Sequence, residues 1–167
     1  MLRFPDPEPL GPDHQLADFD CGVDSLNAWL LKHARAASAS GSARTYVIED
    51  AEQGRVVGYH ALSAASVSRG EASPRAGRGM PRHPIPAVLL ARMAVDRSVQ
   101  GHGIGAFHLR DAMFRALAAS AELGIRIMLV HALNESARGF YLHHGFEPSR
   151  TDPMNLQLLM KDIEASA

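Results

Sequence analysis

The sequence predicts a mixed α/β fold, a sheet with helices on both faces and a ligand-binding turn in the middle of the chain. Three observations carry that prediction. Helical and strand patterns alternate along all 167 residues. An apolar strand at Val88–Val95 runs through a glycine turn straight into a helix. Near the end, Met154, Leu156, Leu158 and Met160 recur at the two-residue period of a half-buried strand over Met154–Lys161.

The elements follow in chain order. Asp24 is placed to cap a helix reaching about Ala37, with Leu26, Trp29, Leu30, Ala34 and Ala37 on one face. Thr45–Glu49 reads as a strand, Asp50–Gly54 as a turn and Arg55–Val67 as a second strand. Gly70–Pro86, GEASPRAGRGMPRHPIP, holds too many glycines and prolines for regular structure. Then come the strand Val88–Val95, the glycine turn, a helix from about Ile104 to Leu123, a strand Ile125–His131, and a helix from about Glu135 to His144 that Gly145 ends. No repeat and no linker interrupts this order, so a single domain over residues 1–167 is expected.

Composition narrows the function classes. Hydrophobic residues make up 46% of the chain, enough for a core of its own. The longest apolar run, Ala87–Ala91, is far short of a membrane span, and MLRFPDPEPLGPDH has neither the basic start nor the apolar stretch of an export signal. The expectation is a cytoplasmic protein. Cys21 is the lone cysteine and reads as a small packing residue. The nine histidines show no metal-ligand spacing, so no metal site is expected. Net charge is −1 but uneven: residues 1–24 hold six acids against Arg3, whereas Arg69–Arg97 holds six arginines against Glu71 and Asp96. An arginine-bearing loop is either a solvated flexible segment or a phosphate-contact surface, and with fifteen arginines and two lysines in all, number alone does not decide.

The central turn is the strongest chemical signal. Gly101, Gly103 and Gly105 keep side chains away from the backbone, and the helix that follows opens with unpartnered N–H groups at the positive end of its dipole. Such a turn suits a pyrophosphate. It lacks the Gly-Lys-Ser/Thr of a nucleotide-triphosphate loop, continuing instead as Gly105-Ala106-Phe107. A dinucleotide fingerprint is formally present at Gly101, Gly103 and Ala106, but the next strand ends in His131 and Ala132 rather than in an acid. The third pattern, Gln/Arg-x-x-Gly-x-Gly/Ala, fits Gln100–Gly105 in full.

A second constellation lies in the helix after the strand Ile125–His131. Asn134–Phe146, NESARGFYLHHGF, sets Ala137, Phe140, Tyr141 and His144 on one helical face. Phe140 reads as a core aromatic. Tyr141 carries a hydroxyl that needs a partner if buried.

The Gln100–Gly105 turn resembles the acetyl-coenzyme A loop of the GNAT acetyltransferases. Asn134–Phe146 is similar to their N-x-x-A-x-x-F-Y-x-x-x-G-F segment, in the same order and spacing. Further stretches resemble the tRNA-acetylating GNAT toxins of bacterial toxin–antitoxin pairs: Phe19-Asp20-Cys21-Gly22, Leu26-Asn27, Trp29-Leu30, Thr45-Tyr46-Val47, Gly58–Leu62 and Pro84-Ile85-Pro86, then Leu90–Asp96. His60 and Met93 depart from residues common in that pattern. The resemblance implies a GNAT fold, with a central mixed, mostly antiparallel sheet flanked by helices. It implies acetyl-coenzyme A held by Met93, Ala94, Val95, Gln100, Gly101, His102, Gly103, Ile104, Gly105 and Asn134, and Tyr141 as the proton donor to the leaving thiolate. It implies transfer to the amino group of aminoacyl-tRNA, whose phosphates Arg75, Arg78, Arg82 and Arg92 would meet. A ribbon-helix-helix antitoxin and a homodimer are the partners it implies. Two alternatives stay open at this point: a GNAT enzyme for a small amine or protein amino group, and a non-catalytic coenzyme A-binding co-regulator.

Overall fold

The computed structural model describes residues 4–167. Met1, Leu2 and Arg3, on which part of the N-terminal charge reading rests, lie outside the described residues. The elements are β1 (Glu8–Pro9), α1 (Asp24–Lys32), α2 (Ala34–Ser40), β2 (Arg44–Asp50), β3 (Arg55–Val67), α3 (Pro74–Gly77), β4 (Ile85–Val95), α4 (Ile104–Ser120), β5 (Ile127–His131), α5 (Glu135–His143), β6 (Glu147–Pro148), β7 (Asn155–Leu159) and α6 (Met160–Ser166). The strands hydrogen-bond in the order β1-β2-β3-β4-β5-β7-β6. β4 and β5 pair in parallel, whereas β1–β2, β2–β3, β5–β7 and β6–β7 are antiparallel. The parallel pair needs a crossover, which α4 supplies.

Contacts divide the chain into two compact units, and β3, β4 and α4 run through both. The first comprises residues up to Ser63 with Ala91–Ala112. Its core joins Leu16, Phe19, Leu30, Val47, Val56, Tyr59 and Ala94, and a second cluster joins Ile48, Val57, Val99 and Ile104. The second unit comprises Ala64–Leu90 with Met113–Ala167, around Val67, Ala72, Ala76, Ile85, Ile127, Leu129 and Leu159.

Several expectations are corrected. The helix from Asp24 is two helices, broken at His33 (φ −125°, ψ −23°). The break accompanies docking of α2, whose Arg35 donates to the carbonyls of Gly11 and His14, a tertiary contact that the helical periodicity does not encode. Asp24 is a first-turn acid rather than the cap, and the capping position is Val23, without a side-chain bond. The 70–86 segment is not wholly irregular, because Ser73 accepts from the Ala76 N–H and starts the short α3, with Pro74 at its first position. The last strand stops at Leu159, and Met160 opens α6. Leu156, Gln157, Leu158 and Leu159 are all buried, so β7 is covered on both faces. Gln157 tolerates that burial because its carbonyl accepts from the Ser73 N–H at 2.8 Å.

Candidate active site

The glycine turn is held from behind by apolar and ionic anchors. Ile104 and Val99 are buried with Ile48 and Val57, which fixes the turn at both ends. Asp96, 3% exposed, accepts from the N–H groups of Asp20 and Ser98 and pairs with Arg55 at 2.8 Å. Burial pushes its carboxyl up, but Arg55 and the two N–H donors outweigh that and hold it well below the usual carboxylate range.

Between these anchors Gly101 and Gly103 adopt φ of +84° and +79°, where a side chain is strained. A Cβ at either would meet nothing within 4 Å, so the strain is in the backbone and the adjacent space is open. α4 begins at Ile104, with the Phe107 N–H already bonded to the Gly103 carbonyl. The residues therefore fit a pyrophosphate: a loop whose glycines at 101 and 103 leave the backbone open, leading into a helix of 17 residues.

Gln100 has a clear structural use. Its side-chain amide donates to the carbonyl of Val95 at 2.8 Å and to that of Cys21 at 3.2 Å. The glutamine thus ties the end of β4 to the turn at Asp20–Gly22, itself closed by Asp20 accepting from the Gly22 N–H and the Asn27 amide. Cys21 lies in this turn, half-buried with its thiol pushed up by burial, which disfavours the nucleophilic thiolate. β4 pairs with β5 over Ala87–Leu90 and runs on through Met93, Ala94 and Val95.

α4 also carries His108, buried against His60 of β3 with Nδ1 atoms 2.7 Å apart. One nitrogen must donate and the other accept, so the pair carries at most one extra proton. Burial, then the neighbouring His60, pushes His108 down to about 3. His60 Nε2 lies 3.3 Å from Asp111. The residue at 60 that departs from the common pattern is thus matched by another histidine on the facing helix.

In the second unit, Asn134 caps α5 by accepting from the Ala137 N–H at 2.9 Å. Tyr141 is the buried aromatic, 6% exposed, and Phe140 is only half-buried, the reverse of the expectation for Phe140. Phe140 instead packs on the His144 ring, with centroids 4.7 Å apart. The Tyr141 ring packs edge-on against Phe146 and Phe140, while its hydroxyl bonds to no described residue. Burial pushes Tyr141 up to about 12, so it stays protonated at neutral pH.

The four arginines singled out by sequence have three different fates. Arg75 is held by Glu147 at 2.6 Å and by both carboxylate oxygens of Asp162. Arg92 lies over the Trp29 ring at 4.4 Å, a cation–π contact in the first unit. Arg78 and Arg82 line a cavity in the second unit, joined by Arg69 and Arg150. Arg150 was missed by sequence reasoning, which had no local signal for it, since it follows β6 far along the chain.

Comparison with known proteins decides the family. The model of the acetyltransferase (GNAT) domain matches residues 41–148. The chain belongs to the GNAT acetyltransferases. This acetyltransferase is 43% identical over 165 residues to the "tRNA-acetylating toxin" of Mycobacterium tuberculosis strain ATCC 25618 / H37Rv, covering 99% of this chain and 98% of that protein. Among solved structures it is similar to AtaT complexed with acetyl-methionyl-tRNAfMet, with TM-score 0.88, 33% identity, and coverage of 96% of this chain and 97% of that one. It is also similar to a tyrosine-to-phenylalanine variant of AtaT bound to the C-terminus of the antitoxin AtaR and acetyl-CoA, with TM-score 0.82, 32% identity and coverage of 96% of each chain. No helix among the described residues is long and apolar enough to cross a membrane.

Proposed function

We propose that this acetyltransferase moves acetyl from acetyl-coenzyme A to the α-amino group of aminoacyl-tRNA, and so acts as a toxin that blocks translation. The observation that carries this reading is the 43% identity, over 99% of the chain, to a protein named for that activity. The AtaT complexes with acetyl-methionyl-tRNA and with acetyl-coenzyme A support acceptor and donor alike.

The chemistry suits the residues. A free α-amino group titrates near ~8, so a useful fraction is neutral at cellular pH and no strong base is required. Its lone pair attacks the acetyl carbonyl, and the C–S bond breaks as the amide forms. Backbone groups of Met93 and Val95 would align the pantetheine arm along β4, and a backbone N–H there would polarise the carbonyl. The Val95 carbonyl already accepts from Gln100, which fixes its orientation. Tyr141 gives its proton to the departing sulfur, and the proton lost by the attacking amine restores the phenol. The turn Gln100–Gly105 would cradle the pyrophosphate, with Gln100 positioning the loop through its side chain and Gly101, His102, Gly103, Ile104 and Gly105 offering backbone. Asn134 would act through the N-terminus of α5 that it caps.

For the acceptor, Arg78 and Arg82 are the stronger phosphate contacts, and Arg75 is read instead as a residue that fixes the loop. Arg92 would present its charge from the face of Trp29. An antitoxin, with a ribbon-helix-helix DNA-binding part, is the expected protein partner, by likeness to the AtaT–AtaR assembly. We read the whole chain as one functional domain, working as a homodimer in the cytoplasm where charged tRNA is found. The test is transfer of labelled acetyl from acetyl-coenzyme A to total charged tRNA. The label should leave with the amino acid on mild alkaline deacylation, whereas label retained by the RNA, or none on charged tRNA, contradicts the reading.

A further inference from the structure

Arg69, Arg78, Arg82 and Arg150, with Gly70, Pro74 and Gly77, line a cavity of about 630 Å³. That volume lies in the ~300–1,000 Å³ range of small-ligand sites. No acid is among the lining residues. None of the four guanidinium groups makes a hydrogen bond or ion pair within the described residues. The surrounding backbone is, by contrast, fixed. Arg126 donates to the carbonyls of Arg75, Ala76 and Arg78, Arg75 ties α3 to β6 and α6, and the Arg150 N–H bonds the Glu71 carbonyl. Two arginines of this region therefore hold its shape while four are left for a ligand.

The four unpaired guanidinium groups around one space select among anions. A phosphodiester inside an RNA strand carries one charge and is flanked by sugar on both sides. A terminal phosphate monoester has one ester linkage, about −1.5 to −2 charge and three strong acceptor oxygens. Such a group offers more charge and more acceptors at one phosphorus, and so matches several planar guanidinium forks better than a diester does. The 5′ end of an acceptor stem carries this group, at the same end of the molecule as the aminoacylated 3′ terminus.

We infer that the cavity lined by Arg69, Arg78, Arg82 and Arg150 binds the 5′-terminal phosphate of the acetyl acceptor, so that the enzyme selects 5′-monophosphorylated tRNA. The inference rests on the tRNA reading above. The shared chemistry, a phosphate monoester, also occurs as the 3′-phosphate of coenzyme A, and the test separates the two sources.

One charged tRNA that the enzyme labels is transcribed with either a 5′-monophosphate or a 5′-hydroxyl, and KM is measured for both forms. Wild type should show a KM about tenfold or more higher for the 5′-hydroxyl form. The Arg78→Gln/Arg150→Gln variant, checked by melting, should lose that difference while keeping its KM for acetyl-coenzyme A. Equal KM values for the two forms in wild type overturn the inference and leave the tRNA reading standing. Failure to acetylate either form, or any charged tRNA, removes both. A variant that loses preference for acetyl-coenzyme A over its 3′-dephospho form, with the tRNA difference intact, assigns the cavity to the cofactor and overturns the inference as well.

Discussion

Arg75 and Asp162, 87 residues apart in sequence, meet as a bidentate pair with N–O distances of 2.7 and 2.9 Å, and Glu147 takes the same guanidinium at 2.6 Å. The guanidinium is thereby raised above its ordinary value by Asp162 and then Glu147, and Asp162 is lowered by Arg75. An arginine so engaged fixes the loop that carries Arg78. Arg75→Gln should lower the melting temperature while changing the salt slope of tRNA binding by less than the ~0.7–0.9 that one lost phosphate contact gives. A slope change of that full size would return Arg75 to the RNA.

The pyrophosphate assignment is tested at Gly103. Gly103→Asp adds a negative charge and a strained left-handed backbone, and should reduce acetyl-coenzyme A affinity by at least ~tenfold in calorimetry. Gly103→Asn has nearly the same shape, accepts the left-handed region more readily and carries no charge. It should bind more tightly than the aspartate variant. Equal affinities for the two variants would mean that charge at this position is irrelevant.

What could be read from sequence was what is local. The turn 100–105, the Tyr141 segment and β3, with both ends as expected, each depend on contiguous residues whose period or backbone chemistry is visible in a short window. The engagement of Arg75 was not visible, because its carboxylates arrive from 72 and 87 residues away. Nor was the recruitment of Arg150, nor the use of the Gln100 amide on the carbonyls of Cys21 and Val95. The strand Met154–Lys161 was misjudged for a related reason. Alternation implies one solvated face, but β7 has β5 and β6 as neighbours and is covered on both faces, with Gln157 satisfied internally.

Gly58 is a glycine for lack of space. A Cβ there would stand 2.6 Å from His108 Nε2 and 3.4 Å from Ile104. Gly58→Ala must displace the buried His108 ring, which α4 carries, and should destabilise the protein by about 1–3 kcal/mol in denaturant melts. Gly58→Ala combined with His108→Ala relieves the contact and should recover part of that loss. Additive destabilisation in the double variant would contradict the packing argument.

Burial of His108 predicts an acid sensitivity. His108 titrates near 6.5 in the unfolded chain and at about 3 when folded, so between those values the unfolded chain holds a proton that the native state refuses. Its full contribution is present above pH ~6.5 and is lost as pH falls, by up to ~1.4 kcal/mol per unit. Urea melts from pH 7 to 4 should show this slope in wild type and a shallower one in His108→Leu. Parallel profiles would place the acid sensitivity elsewhere.

Acetyl transfer by the Tyr141→Phe variant is the most direct measurement of the central claim, that this chain acetylates charged tRNA with Tyr141 as proton donor. The change removes a hydroxyl that bonds to no described residue, so the ring should still pack against Phe146 and the melting curve should scarcely move. Labelled acetyl transfer to total charged tRNA, beside a melt and an acetyl-coenzyme A titration on the same preparation, should show turnover reduced by ~10²–10⁴ with fold and donor affinity retained. Wild-type turnover by the variant would contradict the assignment of Tyr141, and absence of transfer by wild type itself would contradict the tRNA acceptor.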